Sequence, residues 1–295
     1  MIELLLLGAI WGASFLFMRV AAGHFGPFPL VEVRLALGAL VLLPFLWRAR
    51  GQFNPRLWLR LAGIGAINSA IPFALFAWGA EHAPAGIGAI TNSLAVLFAA
   101  LVARFLYGEP VGQLRAAGLA LGFVGVFVLA SSRMGGAVVW PAALAGSTAA
   151  LLYGIGANLM RPLVGGIPAG ALAAATLSTS ALLVLPLALA TWPTLPIPAT
   201  SWASALLLGA VCTGAAFAVY YRLIRRVGVI RAASVTYLVP LFGMLWGWIF
   251  LHEVPTASMG LAALLILGGV GLSQVRRGAG GQEAGKKAAT REAAG

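Results

Sequence analysis

The chain has few charged side chains, and acidic ones are the scarcest. It contains no aspartate and seven glutamates. Charged residues make up 9% of the chain, whereas a soluble domain carries roughly a quarter. Cys212 is the single cysteine, so an internal disulfide framework is excluded. The HExxH and GxSxG motifs are absent, and His24, His82 and His252 stand far apart. We therefore expect no enzyme, no metal site and no cofactor.

Apolar residues fill most of the chain. They make up 61% of it, and no charged residue occurs between Pro162 and Tyr221. A helix needs roughly 20 apolar residues to cross a bilayer. The alternating ten-residue strands of a membrane barrel are absent. The sequence therefore predicts an all-α membrane protein whose ten transmembrane helices, here called spans 1 to 10, cover 3–22, 28–47, 57–80, 84–106, 113–132, 140–160, 168–191, 201–222, 229–251 and 256–275.

The sequence repeats itself after 142 to 144 residues. An apolar stretch alone would not match aromatic, proline and charged residues in constant order. The matching residues are Trp11-Gly12 with Tyr153-Gly154, Met18-Arg19 with Met160-Arg161 and Pro44 with Pro186, then Gly65 with Gly209, Phe73-Ala74 with Phe217-Ala218, Glu109 with Glu253 and Gly125-Val126 with Gly269-Val270.

The repeat divides the chain into two domains of five spans each, 1–132 and 140–275. Since five is odd, the second domain is predicted to be inserted upside down relative to the first. Duplicated, inverted membrane domains are typical of transporters that work by alternating access, with the substrate at mid-depth between the halves. Residues 276–295, rich in Gly and Ala with mixed charge, are predicted to form a disordered cytoplasmic tail.

Basic residues predict the orientation. With the N-terminus in the cytoplasm, Arg19, Arg34 and Arg133 are the only ones of the 19 Lys and Arg that fall towards the other side. Both termini are therefore expected in the cytoplasm. The net charge of +12 is then explained by this topology and by anionic membrane lipids, without a nucleic-acid partner. The preference for Arg over Lys indicates a bacterial chain, and hence the inner (plasma) membrane.

Several motifs resemble a known family. They are Trp11-Gly12-Ala13-Ser14, Arg34 after two prolines, Gly108-Glu109-Pro110 and Leu238-Val239-Pro240 before Glu253. Each half resembles an EamA domain, so the whole chain is similar to ten-helix members of the drug/metabolite transporter superfamily. The resemblance covers about residues 3–275 and implies an exporter of small metabolites. In its mid-depth aromatic residues the chain is also similar to YddG-type exporters of aromatic amino acids.

Polar and aromatic residues near mid-span are candidates for a substrate cavity, since polar groups inside a bilayer usually face the bundle interior. A Ser or Thr can equally bond its own helix, and Trp and Tyr can anchor at the headgroups. The candidates for substrate binding are Trp11, Ser14, Asn68, Phe73, Trp78, Thr91, Asn92, Ser93, Tyr153, Asn158, Thr213, Phe217, Tyr220 and Tyr237.

Glu32 and Arg34 are the only opposite charges close together within a span, and they project from different helix faces. They form either a proton or carboxylate site, or an interfacial pair whose Arg reaches the headgroups; the second interpretation is preferred. With no other titratable group near mid-depth, facilitated transport is the simplest expectation. Pro44 and Pro186 are predicted to kink spans 2 and 7, as hinges or as static bends.

The expected function is export of small metabolites, most simply aromatic and other neutral amino acids, through a central cavity. A translocator of a phosphorylated lipid or nucleotide sugar is the alternative. That substrate would require cationic groups in the cavity, and the sequence suggests none there. An intramembrane enzyme is the remote alternative.

Overall fold

The computed structural model describes residues 2–109, 111–131, 133–134, 137–164, 166–227, 232 and 234–274. The predicted tail, 276–295, lies outside the described residues. The helices are α1 (Ile2–Phe25), α2 (Pro27–Arg48), α3 (Pro55–Gly65), α4 (Ile71–His82), α5 (Ala85–Asn92), α6 (Leu94–Tyr107), α7 (Gln113–Ala130), α8 (Trp140–Met160), α9 (Ala169–Ala190), α10 (Ala199–Gly209), α11 (Ala216–Val227), α12 (Leu238–Leu251) and α13 (Ala257–Gln274). Two short antiparallel strands, β1 (Arg133–Met134) and β2 (Ala137–Val138), connect the two halves.

The prediction of an all-helical protein with many membrane spans is confirmed. Among the residues that the structure describes, eight helices are long and apolar enough to cross a bilayer, and two shorter apolar helices, Val235–Leu251 and Ala257–Ser273, match spans 9 and 10. Span 3 continues from α3 into α4, span 4 from α5 into α6, and span 8 from α10 into α11.

Four spans are interrupted near their middles, and the interruptions recur across the repeat. Spans 3 and 8 contain π-helical turns at Ala66–Ala70 and Ala210–Ala215, 144 residues apart. Span 4 breaks at Ser93, and the described part of span 9 contains a 3₁₀ turn that ends at the equivalent Tyr237. Such turns leave backbone groups that need other partners, so in a membrane they are tolerated where they face protein or a cavity.

The same close contact is built twice, once in each half. A Cβ atom added at Gly12 in span 1 would lie 2.6 Å from Cβ of Phe242 in span 9. At the equivalent Gly154 in span 6 it would lie 3.0 Å from Cβ of Phe98 in span 4, with the Phe98 backbone at 2.8 Å. Only glycine permits this approach. Span 1 thus packs on span 9 as span 6 packs on span 4, which is the exchange that a pseudo-two-fold axis produces.

Equivalent helices also pair directly, and they run in opposite directions. Gly118 of span 5 meets Gly269 of span 10, while Gly125, further along span 5, meets Ile266, which lies earlier in span 10. Spans 2 and 7 pair in the same manner. Antiparallel pairing of equivalent helices is what inversion of the second half requires.

The two prolines lie within uninterrupted helices. α2 continues through Pro44 and α9 through Pro186. The hinge hypothesis for this pair stays a prediction.

We predict that Gly12→Ala lowers the thermal stability of the purified protein, whereas Gly23→Ala does not. Both glycines lie in α1, but a Cβ at Gly23 meets no atom within 4 Å. Overpacking costs about 1–3 kcal/mol, while Ala for Gly in an open helical position favours the helix by up to about 1 kcal/mol. Monodispersity after heating, followed by size-exclusion chromatography in detergent, measures the difference. Equal melting of the two variants would contradict the contact.

Candidate functional site

Two connected cavities lie between the halves of the bundle. The inner cavity has a volume of about 250 Å³ and the larger vestibule about 680 Å³. Trp11, Asn68, Asn92 and Tyr153 line both, so one space leads into the other. The vestibule extends to Glu109, Arg115 and Arg161, at the end of the bundle that also carries Glu3 and Arg226, called here the N-terminal face.

Aromatic rings from both halves form the walls in matched pairs. The Trp11 ring centroid lies 6.1 Å from that of Phe217 and 5.1 Å from that of Tyr220. Its counterpart Tyr153 lies 6.3 Å from Phe73 and 5.9 Å from Phe76. Apolar walls with a few polar groups are typical of small-molecule sites.

Nine of the fourteen predicted binding residues line this space. Asn158 is partly committed to structure, since its Nδ2 donates to the backbone oxygens of Ala99 and Gly154 at 2.9 and 2.8 Å. The inner cavity is lined by Trp11, Ser14, Asn68, Phe73, Asn92, Tyr153 and Phe217, and the vestibule adds Asn158 and Tyr220.

Five predicted residues line neither cavity. The Thr91 hydroxyl is buried and donates to the backbone oxygen of Ile87, a bond within its own helix. Ser93 is buried at the break in span 4, and the Trp78 ring packs at a tilt against His82 with ring centroids 4.4 Å apart. Tyr237 packs against an apolar cluster of spans 4, 5, 6 and 10. Thr213 lies behind the wall, where it contacts Arg34.

Arg34 corrects a preferred interpretation. It does not reach the headgroups: its side chain is buried, with 8% of the residue exposed, and it lines the inner cavity. The expectation of a cavity without a cationic group is therefore wrong. Arg34 is held inside the bundle by span 8, because Arg34 Nε donates to Thr213 Oγ1 at 3.0 Å. Glu32 lines neither cavity, and its Oε2 is buried with no hydrogen-bond partner among the described residues.

An ion pair closes the end of the bundle opposite the N-terminal face. Arg19 Nε donates to Glu253 Oε1 at 3.0 Å, and Arg19 Nη1 donates to the backbone oxygens of Ala80 and Glu81 at 2.7 and 3.1 Å. Glu253 Oε2 accepts from the Ala85 amide at 2.8 Å. One pair thus joins spans 1, 3 and 4 of the first half to span 9 of the second.

A second ion pair stands at the N-terminal face. Arg161 Nη1 donates to Glu109 Oε1 at 2.6 Å. Both residues are the repeat equivalents of Arg19 and Glu253. The sequence shows all four as repeated positions, and the pairing of each Arg with its Glu is seen only in the structure. The signal was present: a repeated Arg and a repeated Glu, both at predicted span ends.

Metal ligands do not gather anywhere in the ranges that the structure describes. The inner cavity offers aromatic faces, the amides of Asn68 and Asn92 and the guanidinium of Arg34, which suit recognition of an organic solute.

The sequence of each half matches the model of the EamA-like transporter family, over residues 1–131 and 140–274. The chain belongs to this family. It is a multi-pass membrane transporter of a small molecule, and not an enzyme.

Named relatives extend along most of the chain. It is 25% identical over 278 residues to a probable amino-acid metabolite efflux pump of Salmonella typhimurium, covering 90% of this chain and 91% of that protein. It is 27% identical over 271 residues to a probable terminal-alkyne amino-acid exporter of Streptantibioticus cattleyicolor, covering 87% and 89%. A solved crystal structure with 23% identity shares the fold with a TM-score of 0.65, over 94% of this chain and 98% of that one.

We predict that a cysteine at Ala157 is modified from the N-terminal face only. Ala157 is exposed and lines the vestibule, which opens to that face, while the Arg19 and Glu253 pair closes the other. The measurement uses a membrane-impermeant thiol reagent on oriented vesicles of Ala157→Cys in a Cys212→Ala background. Faster labelling from the opposite face would contradict the direction of opening.

Proposed function

We propose that the protein exports small metabolites, namely aromatic and other neutral amino acids, by alternating access. The observation that carries this proposal is the cavity between the halves: matched aromatic walls, two amides and a single buried arginine. An amino acid presents groups complementary to each, namely a side chain for the rings, an ammonium group for the amide oxygens and a carboxylate for the guanidinium. The names of the relatives in Salmonella typhimurium and Streptantibioticus cattleyicolor support the same substrate class.

The proposed setting is the inner membrane of a bacterium, with the N-terminal face in the cytoplasm. The distribution of basic residues supports this orientation. The cavity then opens inward, and the Arg19 and Glu253 pair closes the periplasmic side. An exporter takes up its substrate in that state. The substrate gradient is the proposed driving force.

We predict saturable uptake of labelled phenylalanine into proteoliposomes, with unlabelled phenylalanine, tryptophan and leucine competing and lysine or glucose competing poorly. Trp11→Ala is expected to raise the KM severalfold, because an aromatic contact contributes about 0.5–1.5 kcal/mol beyond its buried area. Trp140→Ala is the matched control, since Trp140 is exposed at the start of span 6, away from both cavities.

A nucleotide sugar belongs in the same competition assay. Transport of that solute without any amino-acid transport would refute the proposed substrate class and favour the phosphorylated alternative. Proton-dependent exchange that disappears in Glu32→Gln would refute the facilitated mechanism alone.

A further inference from the structure

Arg34 is a buried cation without an anion. Its Nε is bonded to Thr213 Oγ1, Nη1 approaches the Met18 sulfur at 3.6 Å, and the guanidinium carbon lies 3.5 Å above the centroid of the Phe73 ring. None of the carboxylates in the described parts of the chain lies within 4.0 Å of it. A buried charge is costly unless it is paired, and a guanidinium has five N–H donors. Most of this donor capacity is unused.

The surrounding side chains hold the guanidinium in place. The Thr213 hydroxyl donates its own proton to the backbone oxygen of Leu208 at 2.9 Å, so it receives the Nε hydrogen through a lone pair. The Phe73 ring supports the flat face of the cation. Arg34 itself lines the inner cavity. The N–H groups that it does not use within the protein are therefore next to the space that a solute would occupy.

The other half of the repeat indicates that the fold does not require an arginine here. The equivalent residue is Thr176, whose hydroxyl donates to the backbone oxygen of Leu172 in its own helix. The helix contact is the same on both sides: Gly65 packs against the Thr176 backbone, and Gly209 packs against the Arg34 backbone. One half therefore makes this contact with a neutral side chain, and only the other places a charge at the cavity.

We propose that Arg34 binds the carboxylate of the substrate through its free N–H groups. This inference rests on the proposed function and narrows it, since the solute must carry a carboxylate that can reach mid-depth. The substrate's side chain then lies along the Trp11, Tyr153 and Phe217 rings. A fork of N–H donors against a carboxylate is the geometry that makes arginine selective for planar anions.

The test compares phenylalanine with phenylalaninamide, which lacks the carboxylate, as competitors of labelled phenylalanine in proteoliposomes. In the unmodified protein phenylalanine competes far better. In Arg34→Gln the KM for phenylalanine rises at least about tenfold and the two competitors become similar, because a charged hydrogen bond is lost. Arg34→Lys restores part of the difference. Thr176→Val, the change at the equivalent position, leaves the discrimination intact.

Unchanged discrimination in a monodisperse Arg34→Gln protein would overturn the inference while leaving amino-acid export intact. Absence of phenylalanine transport in the unmodified protein would instead refute the proposed function. In that case thermal stabilisation by 3-phenylpropionate, compared with 3-phenylpropionamide, tests Arg34 separately. Stabilisation by the acid alone that is lost in Arg34→Gln supports a carboxylate site, and equal stabilisation of both proteins rejects it.

A second, independent observation concerns the two ion pairs, whose surroundings differ although the repeat relates them. Arg19 and Glu253 are 33% and 17% exposed, whereas Arg161 and Glu109 are 54% and 30% exposed. The repeat relates the Ala80 and Glu81 oxygens, which Arg19 binds, to those of Ile224 and Arg225 at the end of span 8. Arg161 binds neither of these two described residues.

The contact between spans 4 and 9 shows the same asymmetry. At the closed end, a Cβ added at Gly243 would clash with Cβ of Ala89, and one added at Gly247 would lie 3.6 Å from Cβ of Ala85. The equivalents of these glycines are Ala99 and Ala103, and both line the open vestibule. The later half of span 9 is therefore packed against span 4, whereas the equivalent half of span 4 borders the vestibule.

We infer that the two ion pairs are exchanging latches. When the vestibule closes, Arg161 binds the backbone oxygens of Ile224 and Arg225, as Arg19 now binds those of Ala80 and Glu81, and the Arg19 contacts to span 3 separate. The pseudo-two-fold axis relates the two ends of the bundle. The contacts now made at the closed end are therefore those expected at the N-terminal face after the vestibule closes.

The Ala157→Cys reporter tests this exchange. Glu253→Gln weakens the latch of the present state and slows labelling from the N-terminal face at least about threefold, since populations follow the difference in stabilisation between the states. Arg161→Gln removes the donor of the contacts that form when the vestibule closes, and it raises the labelling rate. Both variants slow transport. Arg19→Gln repeats the first result, should Glu253→Gln fold poorly.

Opposite changes in labelling by the two glutamine variants support the exchange. Changes in the same direction, or no change in either, would overturn it, because static ion pairs have no preference between the two states.

Discussion

The backbone in a membrane must find its hydrogen-bond partners within the protein, and the rest of this structure depends on that constraint. In the described ranges of the chain, six spans satisfy it with continuous helices. Four do not, and their interruptions all lie near mid-depth, at Ala66–Ala70, Ser93, Ala210–Ala215 and Ser234–Tyr237. All four of these spans contribute to the lining of the inner cavity, together with spans 1, 2 and 6. The π turn in span 8 also places Thr213, whose hydroxyl satisfies the Leu208 oxygen and holds Arg34.

Because the two halves are repeats, each position in one half can be compared with its equivalent in the other. Contacts that recur, such as Gly12 on Phe242 and Gly154 on Phe98, identify what the scaffold needs. Differences between equivalent positions identify what is specific to one half or one conformation. Arg34 in the first half and Thr176 at the equivalent position of the second half differ in chemistry. The unequal surroundings of the two ion pairs instead reflect the conformational state of the bundle.

Much of the fold could be predicted from the sequence, because length and apolar content determine where a span lies. The interior arrangement could not. Thr91 and Asn92 are neighbours in the sequence, yet one bonds its own helix and the other lines the cavity, and only the rotation of span 4 decides between them. Arg34 lies about two turns into α2, where a side chain can reach either headgroups or core. Its partner Thr213 is 179 residues away, so no local pattern indicates the choice.

The long sequence separation of these pairs also affects how the protein is made. Arg19 precedes Glu253 by 234 residues, which a ribosome takes roughly 10 to 50 s to synthesise. During that interval the first half stands in the bilayer with Arg19 and Arg34 lacking their second-half partners. Burial of either charge is completed only when spans 8 and 9 arrive. A truncated or stalled chain therefore leaves both arginines without the contacts that the second half provides in the finished transporter.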